Sequence, residues 1–210
     1  MMGIANPFAV IVTISNKYGS GAVAIAERAA AELGYTVVDR QLPVVVAKRM
    51  RISRSVAAQA EESGRSLGSR LLSSLELATP EVITENFGET FDETLLREVQ
   101  RAVRDYAARG NCIIIGRGAS VILGRRPDVL RVYMFAPREW RIERIAEEFS
   151  IDEKTATAEV DRIDRARRAH LRDWYNVDMG SSAIVDLAID TSTFGEERSA
   201  KLIVAAVNAR

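Results

Sequence analysis

Short, unbroken runs of valine, isoleucine and other apolar residues recur along this chain, and they constrain its fold more than any other feature. Such a run predicts a parallel strand covered on both faces, because a strand with one wet face alternates apolar and polar residues. Helical periodicity fills the segments between the runs, which is typical of an open sheet with right-handed crossovers. We therefore expect an α/β fold with an open five-stranded parallel sheet and helices on both faces. The predicted strands are residues 8–15, 36–39, 112–116, 129–136 and 184–190.

The alternation of strand and helix is interrupted once, between the second and third predicted strands. Residues 41–110 carry no strand-like run, although a crossover between parallel strands needs only about a dozen residues. We expect a helical insertion here, either a cover over a binding site or the surface of a homodimer. The chain of 210 residues is short enough to form one domain, 1–210, that includes this insertion. The predicted helices are residues 21–33, 41–77, 91–108, 138–149, 152–174 and 196–207.

Charge and composition exclude several classes of protein. Lysine plus arginine total 29, as do aspartate plus glutamate, and this zero net charge argues against general binding to nucleic acid or a membrane surface. No apolar run approaches the roughly 20 residues that span a bilayer, and residues 1–6 lack a secretion signal, so we expect a cytoplasmic protein. The single cysteine, Cys112, and the single histidine, His170, exclude an internal disulfide and a Cys/His metal site.

The turn after the first predicted strand is the strongest candidate for a binding site. It reads Asn-Lys-Tyr-Gly-Ser-Gly at residues 16–21 and leads directly into a helix. A glycine-rich turn between a buried strand and a helix presents backbone N–H groups to an anion, which the helix dipole also favours. The sequence therefore predicts a phosphate site at this turn. The candidate phosphate-binding residues are Lys17, Gly19, Ser20, Gly21, Ala22 and Val23.

Two phosphate-binding patterns compete for this turn. The dinucleotide pattern G-x-G-x-x-[GA] fits residues 19–24, and Asp39 at the end of the second strand is suited to bind a ribose. The P-loop pattern G-x-x-x-x-G-K-[ST] is met only at Gly21, since Ala22 and Val23 stand where it has lysine and Ser or Thr. The residues that separate the strand from the glycines favour the P-loop, and an NAD(P)-binding enzyme stays as the weaker alternative.

Arginines gather at two later points of the chain. Arg117 follows the third predicted strand between two glycines, where its guanidinium is suited to grip a phosphate. Residues 161–172 combine five arginines with two aspartates at helical spacing. Because phosphoryl transfer needs cations around the transferring group, both clusters point to that chemistry.

In their order and spacing, these features resemble the cytidylate kinase-like branch of the P-loop nucleoside monophosphate kinases. The resemblance extends over nearly the whole chain, and the segments that carry it are residues 14–28, 35–42, 114–119, 132–145, 161–168 and 186–193. It implies a P-loop nucleoside kinase-like fold with a helical insertion and a lid. The insertion, 41–110, would be the acceptor-binding region, and 150–176 would be the arginine-rich lid.

The resemblance implies transfer of the γ-phosphoryl group of ATP, with Mg²⁺, to a (d)CMP-like nucleotide or another small-molecule phosphate acceptor. Gly19, Ser20 and Gly21 would hold the donor phosphates through their backbone. The residues that would hold the acceptor are Asp39, Arg40 and Arg117. The lid arginines that would close over the reaction are Arg162, Arg165, Arg167 and Arg168.

The chain departs from the family pattern at three positions. Ala22 replaces the phosphate-binding lysine, Val23 has no hydroxyl for Mg²⁺, and Gly118 stands where cytidylate kinases have an aspartate. Lys17, which precedes the glycines, is a candidate source of the missing charge. Three hypotheses follow: an active phosphotransferase, a nucleotide-binding module that regulates or assembles without catalysis, and an NAD(P) enzyme.

Overall fold

The structure is a computed structural model that describes residues 10–39 and 89–210. Strand and helix alternate along much of the described chain. The described strands are β1 (Ile11–Asn16), β2 (Thr36–Val38), β3 (Cys112–Ile115), β4 (Val129–Phe135) and β5 (Leu187–Asp190). The described helices are α1 (Ala22–Leu33), α2 (Glu89–Arg109), α3 (Ala119–Leu123), α4 (Arg138–Phe149), α5 (Glu153–Tyr175) and α6 (Thr191–Asn208).

The five strands form one parallel sheet in the order β2-β3-β1-β4-β5. Strand β1 lies at the centre, where Thr13 is in register with Ile114 of β3 and Arg131 of β4. This arrangement confirms the predicted open five-stranded parallel sheet. Because the strands are parallel, their carboxyl ends lie at one edge of the sheet, which is where such folds bind ligands.

Successive side chains of β1 pack into two separate cores, one on each face of the sheet. Val12 packs with Ile25 of α1 and Ile203 of α6 on one face. Ile11 packs with Val103 of α2 on the other. Helices therefore cover both faces, and this double burial explains why the strands read as unbroken apolar runs.

A third, smaller core joins α4 to α5 beside the carboxyl end of β1. It contains Ile142 and Ile145 of α4 and Val160 of α5, with Tyr18 packed against it. Asp152 begins α5 as its N-cap, because its carboxylate accepts a hydrogen bond from the backbone N–H of Thr155 at 3.0 Å. The predicted lid is thus a long, capped helix that lies against the turn after β1.

Two elements near strand ends differ from the sequence predictions. The short helix α3 was not predicted, because residues 116–118 read as the end of a strand although the chain reverses there through three positive φ values. Strand β5 begins at Leu187 and not at residue 184. At Asp186, just before the strand, the backbone N–H donates to the carbonyl of Arg131 at 2.7 Å, and the carboxylate accepts from the N–H of Arg131 at 3.0 Å.

Apart from the last helix, the other elements predicted within the described residues lie close to their expected bounds. The last helix begins earlier than predicted, since the Asp190 carboxylate caps it through the N–H of Ser192, and it kinks at Gly195. The predicted helix at 41–77 lies outside the described residues, whereas α2 confirms the helix predicted at 91–108. No helix within 10–39 or 89–210 is long and apolar enough to cross a membrane.

Candidate functional site

The turn between β1 and α1, residues 16–21, forms a backbone cradle at the carboxyl edge of the sheet. Gly19 and Gly21 have φ values of 79° and 74°, which residues with a Cβ adopt only at a cost. Gly21 has no side chain with which to cap α1, so the first N–H groups of the helix are available to an anion. Ser20 is buried, and its hydroxyl has no hydrogen-bond partner among the described residues.

Arg144 of α4 lies against this turn, although the glycine pattern does not point to it. A Cβ placed on Gly21 would be 3.3 Å from the Cζ and both Nη atoms of Arg144. The same guanidinium donates to Glu196 at 2.6 Å. A cation therefore stands beside the start of α1, where Ala22 carries no charge. In the sequence, Arg144 follows Arg141 by three residues. This spacing puts both arginines on one side of α4 and is the signal that could have pointed to Arg144.

A buried ion cluster connects α4 and α5 to the backbone of the turn. Asp164 and Arg141 are each 4 % exposed, with 3.0 Å between Oδ2 and Nη1. Asp164 Oδ1 accepts from the backbone N–H of Tyr18 at 3.0 Å, and Oδ2 lies 3.8 Å from Lys17 Nζ. Arg141 also donates to the carbonyls of Tyr18 and Ala136, at 2.8 and 3.1 Å. Burial lowers the pKa of Lys17, and Asp164 opposes this effect.

Two of the four predicted lid arginines lie near the turn. Arg167 donates from Nη1 to the carbonyl of Asn16 at 2.9 Å, and its guanidinium lies 5.8 Å from the centre of the Tyr18 ring. Arg168 is exposed, and its positive charge helps to lower the pKa of Lys17. These contacts add positive charge to the carboxyl end of β1.

The other two lid arginines, Arg162 and Arg165, have exposed side chains. Arg162 makes a two-pronged pair with Glu159 one turn earlier on α5, at 2.9 and 3.0 Å. Asp161, on the same stretch of helix, accepts two hydrogen bonds from Arg138 at 2.9 and 2.7 Å. Helical spacing alone does not distinguish Arg162, which pairs along α5, from Arg167, which donates to the turn.

The turn between β3 and α3, residues 116–118, holds Arg117 in an unusual backbone conformation. Gly116, Arg117 and Gly118 have φ values of 69°, 60° and 68° in succession. A Cβ on Gly118 would lie 2.8 Å from Cε2 of Tyr175, the last residue of α5. Tyr175 therefore fills the space that a side chain at position 118 would need. A non-glycine residue in this conformation is strained, which is common at binding sites.

His170 of α5 lies buried beside the same turn, 8 % exposed. Its ring meets that of Tyr175 edge to face, with 5.8 Å between centroids. Burial lowers the pKa of His170 to about 4, and the positive charge of Arg117 adds to this effect. His170 is therefore neutral at pH 7, and Arg117 carries the positive charge of this turn.

The position of Asp39 argues against the dinucleotide-binding alternative. Asp39 follows β2 and is half-buried, whereas Arg40 lies outside the described residues. In a dinucleotide-binding sheet β2 lies beside β1, but here β3 lies between them. Because neighbouring strands are about 4.8 Å apart, the carboxylate is displaced by an extra strand from the glycine turn. The order of the strands therefore does not fit the dinucleotide-binding alternative.

The chain is similar to proteins named cytidylate kinase. It is 24 % identical over 209 residues to the cytidylate kinase of Methanopyrus kandleri, which covers 95 % of this chain and 93 % of the relative. It is 29 % identical over 187 residues to the cytidylate kinase of Ignicoccus hospitalis, covering 89 % of this chain and 92 % of the relative. These matches extend over most of both chains.

Solved structures share the fold at lower sequence identity. A protein from Eubacterium ventriosum matches with a TM-score of 0.64 and 17 % identity, over 96 % of this chain and 99 % of that chain. Shikimate kinase from Acinetobacter baumannii, solved in complex with shikimate, matches with a TM-score of 0.51 and 12 % identity, over 95 % and 93 %. The sequence model described as Cytidylate kinase-like family matches residues 11–193, and this chain therefore belongs to that family.

Proposed function

We propose that this protein is a nucleoside monophosphate kinase-like phosphotransferase that moves the γ-phosphoryl group of ATP to a (d)CMP-like acceptor. The observation that carries the proposal is the guanidinium of Arg144 beside Gly21, at the start of α1. A left-handed glycine turn, a helix N-terminus and a cation together suit a polyphosphate. The relatives named cytidylate kinase support the choice of acceptor.

The donor phosphates bind to the β1–α1 turn in this proposal. Gly19 and Gly21 donate their backbone N–H groups, and Ser20 exchanges its N–H bond to the carbonyl of Lys17, 3.2 Å in this structure, for one to phosphate. The helix dipole of α1 attracts the negative charge. Arg144 supplies the charge that Ala22 lacks, and it exchanges its contact with Glu196 for one with phosphate. Replacement of a lysine by an arginine from another helix keeps the charge and adds a planar fork of donors.

The acceptor binds at the carboxyl ends of β2 and β3. Arg117 grips its phosphate, together with Arg40, while Asp39 holds another part of the nucleotide. Arg117 lies in the turn that directly follows β3, where its backbone is left-handed. Of the lid arginines, Arg167 and Arg168 lie near the turn, and Arg162 and Arg165 join them when the lid closes on substrate.

The described side chains supply few ligands for Mg²⁺ beyond the phosphate oxygens of ATP. Val23 has no hydroxyl, and no group of three or more His, Cys, Asp or Glu side chains suited to a metal occurs in residues 10–39 and 89–210. These residues do not form a metal cage, so we assign no step to the ion. Mg²⁺ commonly binds through phosphate oxygens and water, and it would enter with ATP as part of the substrate.

In this reaction no covalent bond forms between the protein and the substrates. An oxygen of the acceptor phosphate forms a bond to the γ-phosphorus, and the bond from that phosphorus to the β-phosphate oxygen breaks. The acceptor phosphate is already anionic at neutral pH, so no general base is needed. Arginines that surround the transferring group offset its charge and hold donor and acceptor in line.

A coupled assay of ADP release tests this proposal. ATP and Mg²⁺ are supplied with CMP, dCMP, UMP, AMP, GMP and dTMP in turn, at equal concentrations. We expect turnover with CMP or dCMP and a kcat/KM at least tenfold lower with the purine nucleotides. Turnover with a purine nucleotide alone would contradict the acceptor, and absence of turnover with every nucleotide would contradict the kinase activity.

A nucleotide-binding module without catalysis is the second candidate function. The observation that favours it is the pair Ala22 and Val23, which removes two side chains that serve catalysis in P-loop enzymes. Calorimetric titration with ATP distinguishes the two candidates when it is combined with the assay. Saturable ATP binding with no ADP release from any acceptor would favour the module.

A further inference from the structure

Three hydroxyl groups form a chain near the carboxyl end of β1. Oγ1 of Thr13 lies 3.0 Å from Oγ of Ser120, and Oγ of Ser15 lies 3.2 Å from the same atom. Thr13 and Ser120 are 0 % and 2 % exposed, whereas Ser15 is half-buried. Within residues 10–39 and 89–210, these hydroxyls make no other hydrogen bond. The chain thus leads from the core to the last residue but one of β1.

Burial fixes the direction in which these hydroxyls donate. A buried O–H group needs an acceptor, and among the described residues the hydroxyl of Thr13 has only Ser120. The hydrogen of Thr13 therefore lies between these two oxygens, so Ser120 directs its own hydrogen to Ser15. Ser15 accepts this bond, and its hydrogen points away from Ser120. The last hydroxyl of the chain can therefore donate to a ligand.

Ser15 lies on the face of the sheet that carries the proposed acceptor turn. Side chains of β1 alternate between the two faces, so Ser15 shares a face with Ile11, which packs with Ala119 of α3. Helix α1, whose N-terminus is the proposed donor site, packs on the opposite face. Ser120 follows Arg117, the proposed ligand of the acceptor phosphate, by three residues. The hydroxyl chain therefore connects Ser15 to the acceptor side.

The backbone also places Ser15 between the two turns. The N–H of Gly116, which begins the β3–α3 turn, donates to the carbonyl of Ile14 at 2.7 Å. Asn16, the next residue after Ser15, begins the β1–α1 turn. A donor at Ser15 is thus next to both turns, where the acceptor phosphate must lie to receive the γ-phosphoryl group.

We propose that the hydroxyl of Ser15 binds the acceptor by donating a hydrogen bond to an oxygen of its phosphate. Thr13 and Ser120 act through Ser15 as positioning residues, because they direct its hydrogen away from the core. The inference rests on the proposed function for the identity of the acceptor. A neutral hydroxyl adds a directional bond to the charge that Arg117 supplies, and linked hydroxyls strengthen one another.

Steady-state kinetics of Ser15→Ala, with CMP as the varied substrate, test this contact. A hydrogen bond to a charged group is lost, so we expect kcat/KM for CMP to fall about tenfold to a hundredfold. The dissociation constant of ATP, measured by calorimetry, should stay within about twofold of the wild-type value. Ser199→Ala is the matched control, because Ser199 is a buried serine of α6 whose hydroxyl has no partner among the described residues. Its kcat/KM should change less than about twofold.

A double-mutant cycle tests whether the buried end of the chain acts through Ser15. Thr13→Val keeps the size of the side chain and removes the hydroxyl that orients Ser120, so we expect kcat/KM for CMP to fall about threefold. In the Ser15→Ala background the same substitution should cause no further loss. Independent losses in the two variants would mean that Thr13 only stabilises the sheet, which would overturn the positioning role.

The outcomes separate this inference from the proposed function. ADP release by wild type, together with an equal kcat/KM for CMP in Ser15→Ala, overturns the inference alone. A loss confined to ATP binding would place Ser15 on the donor and would also overturn it. If wild type releases no ADP with any nucleotide, the proposed kinase activity fails, and calorimetric titration with CMP decides the inference. Weaker CMP binding by Ser15→Ala than by wild type then supports it, and equal binding, or no binding by either protein, overturns it.

Discussion

The β1–α1 turn and the β3–α3 turn lie at the same edge of the sheet, and α5 covers both, but the chemistry of the contacts differs. At the β1–α1 turn, α5 contributes the charged pair of Asp164 with Arg141 and a hydrogen bond to backbone. At the β3–α3 turn it contributes the rings of His170 and Tyr175. α5 thus meets the β1–α1 turn through charged groups and the β3–α3 turn through packed rings, while its first half packs on α4 through Ala156 and Val160.

The two kinds of contact contribute to stability in different ways. Asp164 and Arg141 are each 4 % exposed, so removal of one partner leaves a buried charge without its counter-charge. Removal of a packed ring instead leaves a cavity.

The largest expected effect comes from closing the space at Gly19. A Cβ there would lie 3.0 Å from the backbone oxygen of Arg141 and 3.1 Å from Cγ1 of Ile145, at a φ of +79°. Backbone cannot move aside as a flexible side chain does, so we expect Gly19→Ala to lower the free energy of unfolding by roughly 4 kcal/mol. Urea unfolding followed by circular dichroism measures it.

Gly34→Ala is the matched control for that substitution. Gly34 also has a left-handed φ, +69°, but a Cβ there meets nothing within 4 Å. Only the cost of the backbone conformation applies, about 1 kcal/mol. If Gly19→Ala and Gly34→Ala lowered the free energy of unfolding equally, the β1–α1 turn would not be packed tightly against α4.

The second-largest expected effect is a loss of stability at acid pH that arises from His170, beside the β3–α3 turn. His170 has a pKa of about 4 in the folded protein, against about 6.5 in an unfolded chain. Between these values the unfolded chain binds more protons, so the free energy of unfolding falls as the pH drops from 6.5 toward 4. The loss attributable to His170 is at most about 3 kcal/mol. Urea unfolding at several pH values between 7 and 4 measures it.

His170→Gln isolates this contribution, because His170 is the only histidine in the chain. The variant keeps the acid sensitivity of the carboxylates and loses the part that comes from imidazole. We expect its free energy of unfolding to fall less steeply between pH 6.5 and pH 4 than that of wild type. Parallel curves for the two proteins would show that His170 is not held neutral by its surroundings.

The strands of the sheet could be predicted from the residue patterns, but their order within the sheet could not. The unbroken runs around Val12, Ile114 and Val132 mark buried parallel strands because each strand is covered on both faces. The order of the strands depends on how crossovers pack, which local patterns do not encode. The helix α3 was missed because Arg117 adopts a positive φ that arginine seldom does.

The candidate site could also be predicted only in part. The glycines of the β1–α1 turn were predicted, since a tight turn before a helix requires their left-handed conformation. Arg144, Asp164 and Tyr175 were not predicted as partners of the two turns. They come from helices that are distant in sequence, and only the packing of α4 and α5 brings them there. Helical spacing places Arg162 and Arg167 on α5 without showing that the second alone reaches the turn.

The smallest expected effect, and the one specific to the donor side, concerns Arg144. If its guanidinium replaces the missing lysine, Arg144→Gln should lower kcat/KM for ATP by about tenfold to a hundredfold and leave the free energy of unfolding within about 1 kcal/mol. Lys201→Gln is the control, because Lys201 is an exposed cation of α6 that pairs with Glu197, and its kcat/KM should change less than twofold. An equal loss in both variants would mean that general attraction, and not a placed cation, draws ATP to the β1–α1 turn. A loss confined to Arg144→Gln would mark this turn as the donor site and leave the β3–α3 turn to the acceptor.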